Sequence, residues 1–164
     1  LSLLEENGSL PHSLGPPAPE LTVPDDPLAW HERPALPARA TRRTRRLDVV
    51  PAGPGEPVRL DVHFRDSYAD LEGIERSLHE YTLTADLDPG TGTVLAAAAV
   101  PRALPWTECP QAVGSVDRLV GLDVRELSGL VRRDFTGITT CTHLNDTMRS
   151  LADAWAVLAV LNGG

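Results

Sequence analysis

Leu78-His79-Glu80-Tyr81-Thr82-Leu83-Thr84-Ala85-Asp86-Leu87-Asp88-Pro89-Gly90-Thr91-Gly92-Thr93-Val94-Leu95-Ala96-Ala97-Ala98-Ala99-Val100 is the stretch that decides the fold. Tyr81, Leu83, Ala85 and Leu87 alternate with polar residues, the period of a strand with one buried face. Asp88 to Gly92 then supplies a proline and two glycines, the φ values that a tight connection needs, before a second apolar run. The reading is a β-hairpin. The same period places His79 on the face of Tyr81, so a buried or half-buried imidazole is expected.

Upstream, Val58 to Tyr68 alternates Val58, Leu60, Val62, Phe64 and Tyr68 against Arg59, Asp61, His63 and Arg65, and Thr41 to Val50 reads as a further strand. Downstream, from Cys109 onward, the period becomes helical. Pro110 at a first helical position, the stripe Val113, Val116, Leu119 and Val120, and Gly121 just beyond describe one helix with Cys109 as its cap. A second begins at Asp123 with Glu126 three residues on, a capping-box arrangement, buries Leu127, Leu130 and Val131, and ends by Gly137. A third spans about Thr142 to Leu161 on Leu144, Met148, Leu151, Trp155 and Leu158. The expected fold class is α+β, two-layer: an antiparallel sheet of about four strands followed by three helices packed on one face.

Eleven of the 15 prolines fall in residues 1 to 57. Residues 1–40 therefore read as a Pro-rich N-terminal arm, irregular or docked on a partner, ahead of a single α+β domain over 41–164. Trp30, Leu28 and Leu36 are the side chains able to pin the arm to the body.

The formal charge of -8 argues against nucleic acid as a ligand, since phosphate backbones reward excess Lys and Arg. All 15 basic residues are Arg, which removes lysine Schiff-base and phosphate-loop chemistry. The longest uninterrupted apolar run, Ala154 to Leu161, is far short of the roughly 18 residues of a membrane span, so no membrane association is expected. The opening Leu1-Ser2-Leu3-Leu4-Glu5-Glu6 carries acid where a secretory signal carries base, and there are two cysteines, so the expected compartment is the cytoplasm.

Chemistry is sought in few residues. Cys109 and Cys141 each stand at the first turn of an expected helix, where unpaired N–H groups favour a thiolate. With His143 and the core-facing His79 they form a sparse Cys/His set suited to zinc or iron, set against the plainer reading of two inert core cysteines. His79, flanked by Glu80, is the general-base candidate, with a satisfied core histidine as its alternative. Asp66 falls on the apolar phase of its strand, where a buried carboxylate needs a partner such as a histidine or a helix terminus, with exposure at the strand end as the alternative. The catalytic candidates are thus His79, Glu80 and Asp66, and the metal-ligand candidates Cys109, Cys141, His79 and His143. His63 reads as solvated surface. The block Arg39, Arg42, Arg43, Arg45 and Arg46 reads as a solvated edge strand, with an anion or partner contact as the alternative.

Leu78-His79-Glu80-Tyr81, Glu108-Cys109-Pro110, Leu119-Val120-Gly121-Leu122 and Thr140-Cys141-Thr142-His143-Leu144 together resemble an uncharacterised bacterial domain-of-unknown-function family (DUF2889-like). Its members carry a His-Asp-Met strand, a Cys-Pro step and a C-terminal Gly-Cys-Thr-His-Leu. The likeness covers about residues 41 to 161, with Glu80 in place of Asp and Thr140 in place of Gly. The family is remotely similar to NifU-type iron-sulfur scaffold proteins. That comparison implies a NifU/SufE-like fold in which Cys109 and Cys141 match two of three cluster cysteines and Ser77 stands near the third, leaving an iron-sulfur cluster site incomplete. The resemblance also implies company with enzymes that degrade aromatic compounds. The functional expectation is a metal or thiolate site serving lyase or hydrolase chemistry on a small-molecule substrate. The alternatives are a metal or iron-sulfur carrier and an interaction module that docks a protein partner through the arm, in either case with an oligomer open.

Overall fold

The structure is a computed structural model that describes residues 15–21, 23, 25–104 and 109–163, without the side chains of residues 109 and 110. Four strands, β1 (Thr41–Val50), β2 (Val58–Ala69), β3 (Glu75–Leu87) and β4 (Val94–Ala103), form one antiparallel sheet in the order β1-β2-β3-β4. The expected hairpin joins β3 to β4. Asp88 Oδ1 accepts from the Gly90 and Thr91 amides at 2.9 and 2.7 Å, and Gly92 takes a φ of 76° with its Cα against the Trp155 ring.

Helices follow, α1 (Leu127–Asp134), α2 (Thr142–Ser150) and α3 (Ala154–Leu161), giving the α+β order expected. Two details differ from the sequence reading. Cys109–Leu119 winds as a 3₁₀ helix. The three-residue spacing of Val113, Val116 and Leu119 suits that tighter winding, and Val120 ends half exposed as the chain turns out at Gly121. The final helix is broken into α2 and α3 by a 3₁₀ turn at Leu151–Asp153. Asp123 caps as expected, although its side chain pairs with Arg125 and its amide, not with Glu126.

The core lies between the helices and one sheet face. Leu60, Val62 and Phe64 of β2 and Tyr81, Leu83 and Leu87 of β3 meet Leu119, Leu127, Val131, Leu144, Met148 and Leu151, all fully buried. Burying these twelve side chains, each worth roughly 1.5–3 kcal/mol, is the main force holding the helices to the sheet.

Part of the opposite face, around His63, Arg65 and Glu80, is covered as well. Pro17 bridges Arg76, the Ser77 amide donates to Pro16 O at 3.0 Å and the Ala18 amide to Glu75 O at 2.8 Å, so this part of the arm pairs with the end of β3 that β4 leaves free. Gly15 permits the approach: a Cβ there would stand 1.7 Å from Ser77 O. Trp30 meets the His63 ring edge-on at 5.7 Å, while Leu28 is exposed. The expectation that His63 is solvated is therefore corrected. It is 8% exposed beneath the arm, with Nε2 2.9 Å from Glu80 Oε1.

Candidate functional site

Asp66 and His79 are cross-strand partners, opposite each other in the β2–β3 ladder. Just beyond them the register shifts, since Ser67 pairs with Ser77 and Leu78 is the extra residue. Such a bulge re-aims side chains at the end of a strand pair. Arg43 of β1 is the partner of Asp66 on its other side, so Arg43, Asp66 and His79 lie in line across three strands.

The first turn of α2 completes the arrangement. Cys141 is its N-cap and His143 its second residue. The His143 ring stacks on that of His79 with centroids 3.5 Å apart and 20° between planes. His143 Nε2 stands 3.4 Å from Asp66 Oδ2, and its Nδ1 stands 3.8 Å from Cys141 Sγ. The Tyr81 hydroxyl donates to the same sulfur at 3.6 Å. One donor atom each from Asp66, His79 and His143 lie within 4.8 Å of one another, all on partly buried side chains.

Electrostatics follow from this packing. Burial, then the neighbouring His143, lowers His79 to about 4 against the opposing pull of Asp66, so its ring is neutral near pH 7 with a free lone pair. Burial pushes the Cys141 thiol up, but hydrogen bonding with His143 and Tyr81 and the N–H groups of Leu144 and His143 outweigh it, and the thiol falls to about 7. No capping hydrogen bond of good geometry reaches those amides, so their contribution is that of nearby dipoles. Asp66 is gripped by Arg43, whose Nε and Nη2 donate at 2.7 Å each. The carboxylate raises the Arg43 pKa in return.

Of the residues singled out from sequence, Asp66, His79, His143 and Cys141 come together. The Cys109 side chain lies outside the described residues. Glu80 is on the other sheet face from His79. It accepts from Arg65 Nε and Nη2, from Ser77 and from His63, each at 2.9–3.0 Å. Against the cost of its burial, hydrogen bonds from His63 and Arg65 bring its carboxyl down to about 2. Arg42 to Arg46 of the arginine block lie on the edge strand β1, as expected, with Arg43 and Arg45 exposed, but most of the block's charges are paired. Arg43 and Arg45 face Asp146, Arg42 faces Glu75, and Arg46 faces Asp48 and Asp61. Sequence reasoning missed Arg43 and Tyr81 as neighbours of the cluster. Tyr81 was visible as the next inward position after His79, whereas Arg43 required the β1–β2 register.

What these elements define is an α+β sheet-and-helix domain with an Asp/His/His cluster at one end of its central strands. The chain belongs to the family described as protein of unknown function (DUF2889), whose model matches residues 41–156. Neither a curated protein nor a solved structure matches it, so the likeness to iron-sulfur scaffolds finds no support there. Among the described residues no helix is long and apolar enough to cross a membrane.

Proposed function

We propose that Asp66, His79 and His143 form a metal centre, for zinc or iron, serving lyase or hydrolase chemistry on a small molecule. The observation that carries the reading is the convergence of three donor atoms from β2, β3 and α2 within 4.8 Å. Two imidazoles and one carboxylate are a donor set that zinc and non-haem iron(II) both accept with positions left open for substrate. A bound ion would supply Lewis acidity to a carbonyl or to water. The chain's own groups prepare the site. Low basicity keeps the His79 lone pair free. Cys141 faces His143 Nδ1, so an Nδ1–H donated to sulfur leaves the Nε2 lone pair directed to the side of Asp66. Arg43 must then share Asp66 with the ion. The Pro16–Ala18 segment is occupied by the chain's own β3, which favours a small-molecule substrate over a partner docked through that part of the arm.

One contact chain favours a second reading. Cys141 Sγ, His143 and Asp66 run in sequence at 3.8 and 3.4 Å, the order of nucleophile, base and orienting group in thiol hydrolases. Metal analysis of anaerobically purified protein separates the two. Stoichiometric zinc or iron that survives Cys141→Ala and is lost in His79→Ala supports the metal centre. Metal-free protein inactivated by iodoacetamide supports the thiolate. Visible cluster absorbance would instead indicate an iron-sulfur carrier.

A further inference from the structure

Between α1 and α2 lies a cavity of 490 Å3 whose wall includes His143, Val131, Arg43, Arg132, Arg149 and Asp146. That volume falls within the roughly 300–1,000 Å3 of small-molecule sites. Its charges are unequal. Arg43 is engaged by Asp66 and Asp146, and Arg149 by Asp146. Arg132, exposed on α1, has no carboxylate partner among the described residues. Arg45 also reaches Asp146, at 3.8 Å, so the carboxylates here are shared among Arg43, Arg45 and Arg149, and Arg132 is the guanidinium of the recess left unengaged, in a chain whose net charge is -8. A locally positive recess in an acidic protein attracts anions, and one unengaged guanidinium offers its planar pair of donors to a single carboxylate group.

We propose that this cavity binds a small monocarboxylate, held by Arg132 with Arg149 beside it and presented to His143. The planar guanidinium matches a carboxylate through two parallel N–H donors. Arg132 is a binding and specificity residue, and its neighbour Arg133, paired with Asp134, is not. The inference rests on the metal-centre reading only in taking His143 as the reacting end of the cavity.

The test is calorimetric titration of the full chain with acetate, hexanoate and benzoate. Benzamide serves as the uncharged counterpart of benzoate, and methyl phosphate, at mildly alkaline pH, as a dianion. At least one carboxylate is expected to bind saturably and to shift the His143 imidazole resonances. Benzamide and methyl phosphate are expected to bind about tenfold more weakly or worse. Arg132→Gln is expected to weaken carboxylate binding by about tenfold or more, the worth of a charge-assisted hydrogen bond, with Arg133→Gln unchanged. The proposal is overturned if no carboxylate binds, if benzamide or methyl phosphate binds equally well, or if Arg132→Gln binds like wild type. Parallel titration with zinc keeps the two ideas separate. Zinc binding without carboxylate binding removes the cavity proposal alone, and carboxylate binding through Arg132 without zinc removes the metal centre alone.

Discussion

His79 and His143, one from β3 and one from the first turn of α2, stack face to face with centroids 3.5 Å apart. Two stacked imidazoles resist holding two protons, and Asp66 offsets that repulsion at the open edge of the pair. The cluster is thus built to keep at least one neutral imidazole beside a carboxylate at neutral pH.

Ligand replacement gives the first expected outcome. Asp66→Asn, His79→Ala and His143→Ala each abolish stoichiometric zinc. Cys141→Ser retains it with affinity lowered about 10- to 100-fold, the usual effect of removing a group that orients a ligand. Competition with a chromogenic chelator measures both. Equal loss in all four variants would show that Cys141 is itself a ligand.

Acid sensitivity of the metal-free protein follows from two depressed groups. His79 titrates near 6.5 when unfolded and near 4 when folded, so the unfolded chain binds more protons between those values and stability falls as pH drops through that window. Glu80, about 2 when folded against 4.5 unfolded, adds a second loss at lower pH. Urea midpoints measured in the presence of a chelator should decline in both windows. His79→Gln should flatten the upper decline and leave the lower one.

Glu80 is assigned a structural role by its partners. Glu80→Gln leaves Arg65, 3% exposed, without its countercharge, and should destabilise the fold by about 3 kcal/mol while sparing zinc affinity. Denaturant unfolding and chelator competition on the same samples decide this. Loss of zinc binding in a folded Glu80→Gln protein would return Glu80 to the site.

The arm's attachment is testable at one glycine. Gly15 has a φ of 86° and no room for a Cβ against Ser77 O. Gly15→Ala should therefore weaken the pairing with β3 by about 1–3 kcal/mol. Hydrogen exchange would show the Ser77 amide, which donates to Pro16 O, losing protection while β2 and the rest of β3 keep theirs.

Alternation and turn chemistry made the sheet legible. Thr41–Val50 and the Asp88–Gly92 turn stand where their residues placed them, and three helical segments follow where the period changes. The polar face of β2 misled for a physical reason. His63 and Arg65 alternate as solvent-facing residues do, but Glu80 of the next strand pairs with both, and Pro19 and Trp30 of a separate stretch of chain contact them from above. No local pattern can report a lid contributed from elsewhere. In the site, His79 and Asp66 were visible as polar residues on an apolar phase. Their meeting with His143 was readable only as a hope from helix starts. Arg43 was hidden because its role depends on strand register, which a run of arginines does not fix.

The central claim is the identity of the metal's ligands, and X-ray absorption at the zinc or iron edge of the purified protein tests it most directly. The account predicts a first shell of nitrogen and oxygen at about 2.0–2.2 Å, carrying the outer-shell signature of two imidazoles, with no sulfur. A sulfur shell near 2.3 Å would move the ligand set to the cysteines, and protein without bound metal would contradict the centre altogether.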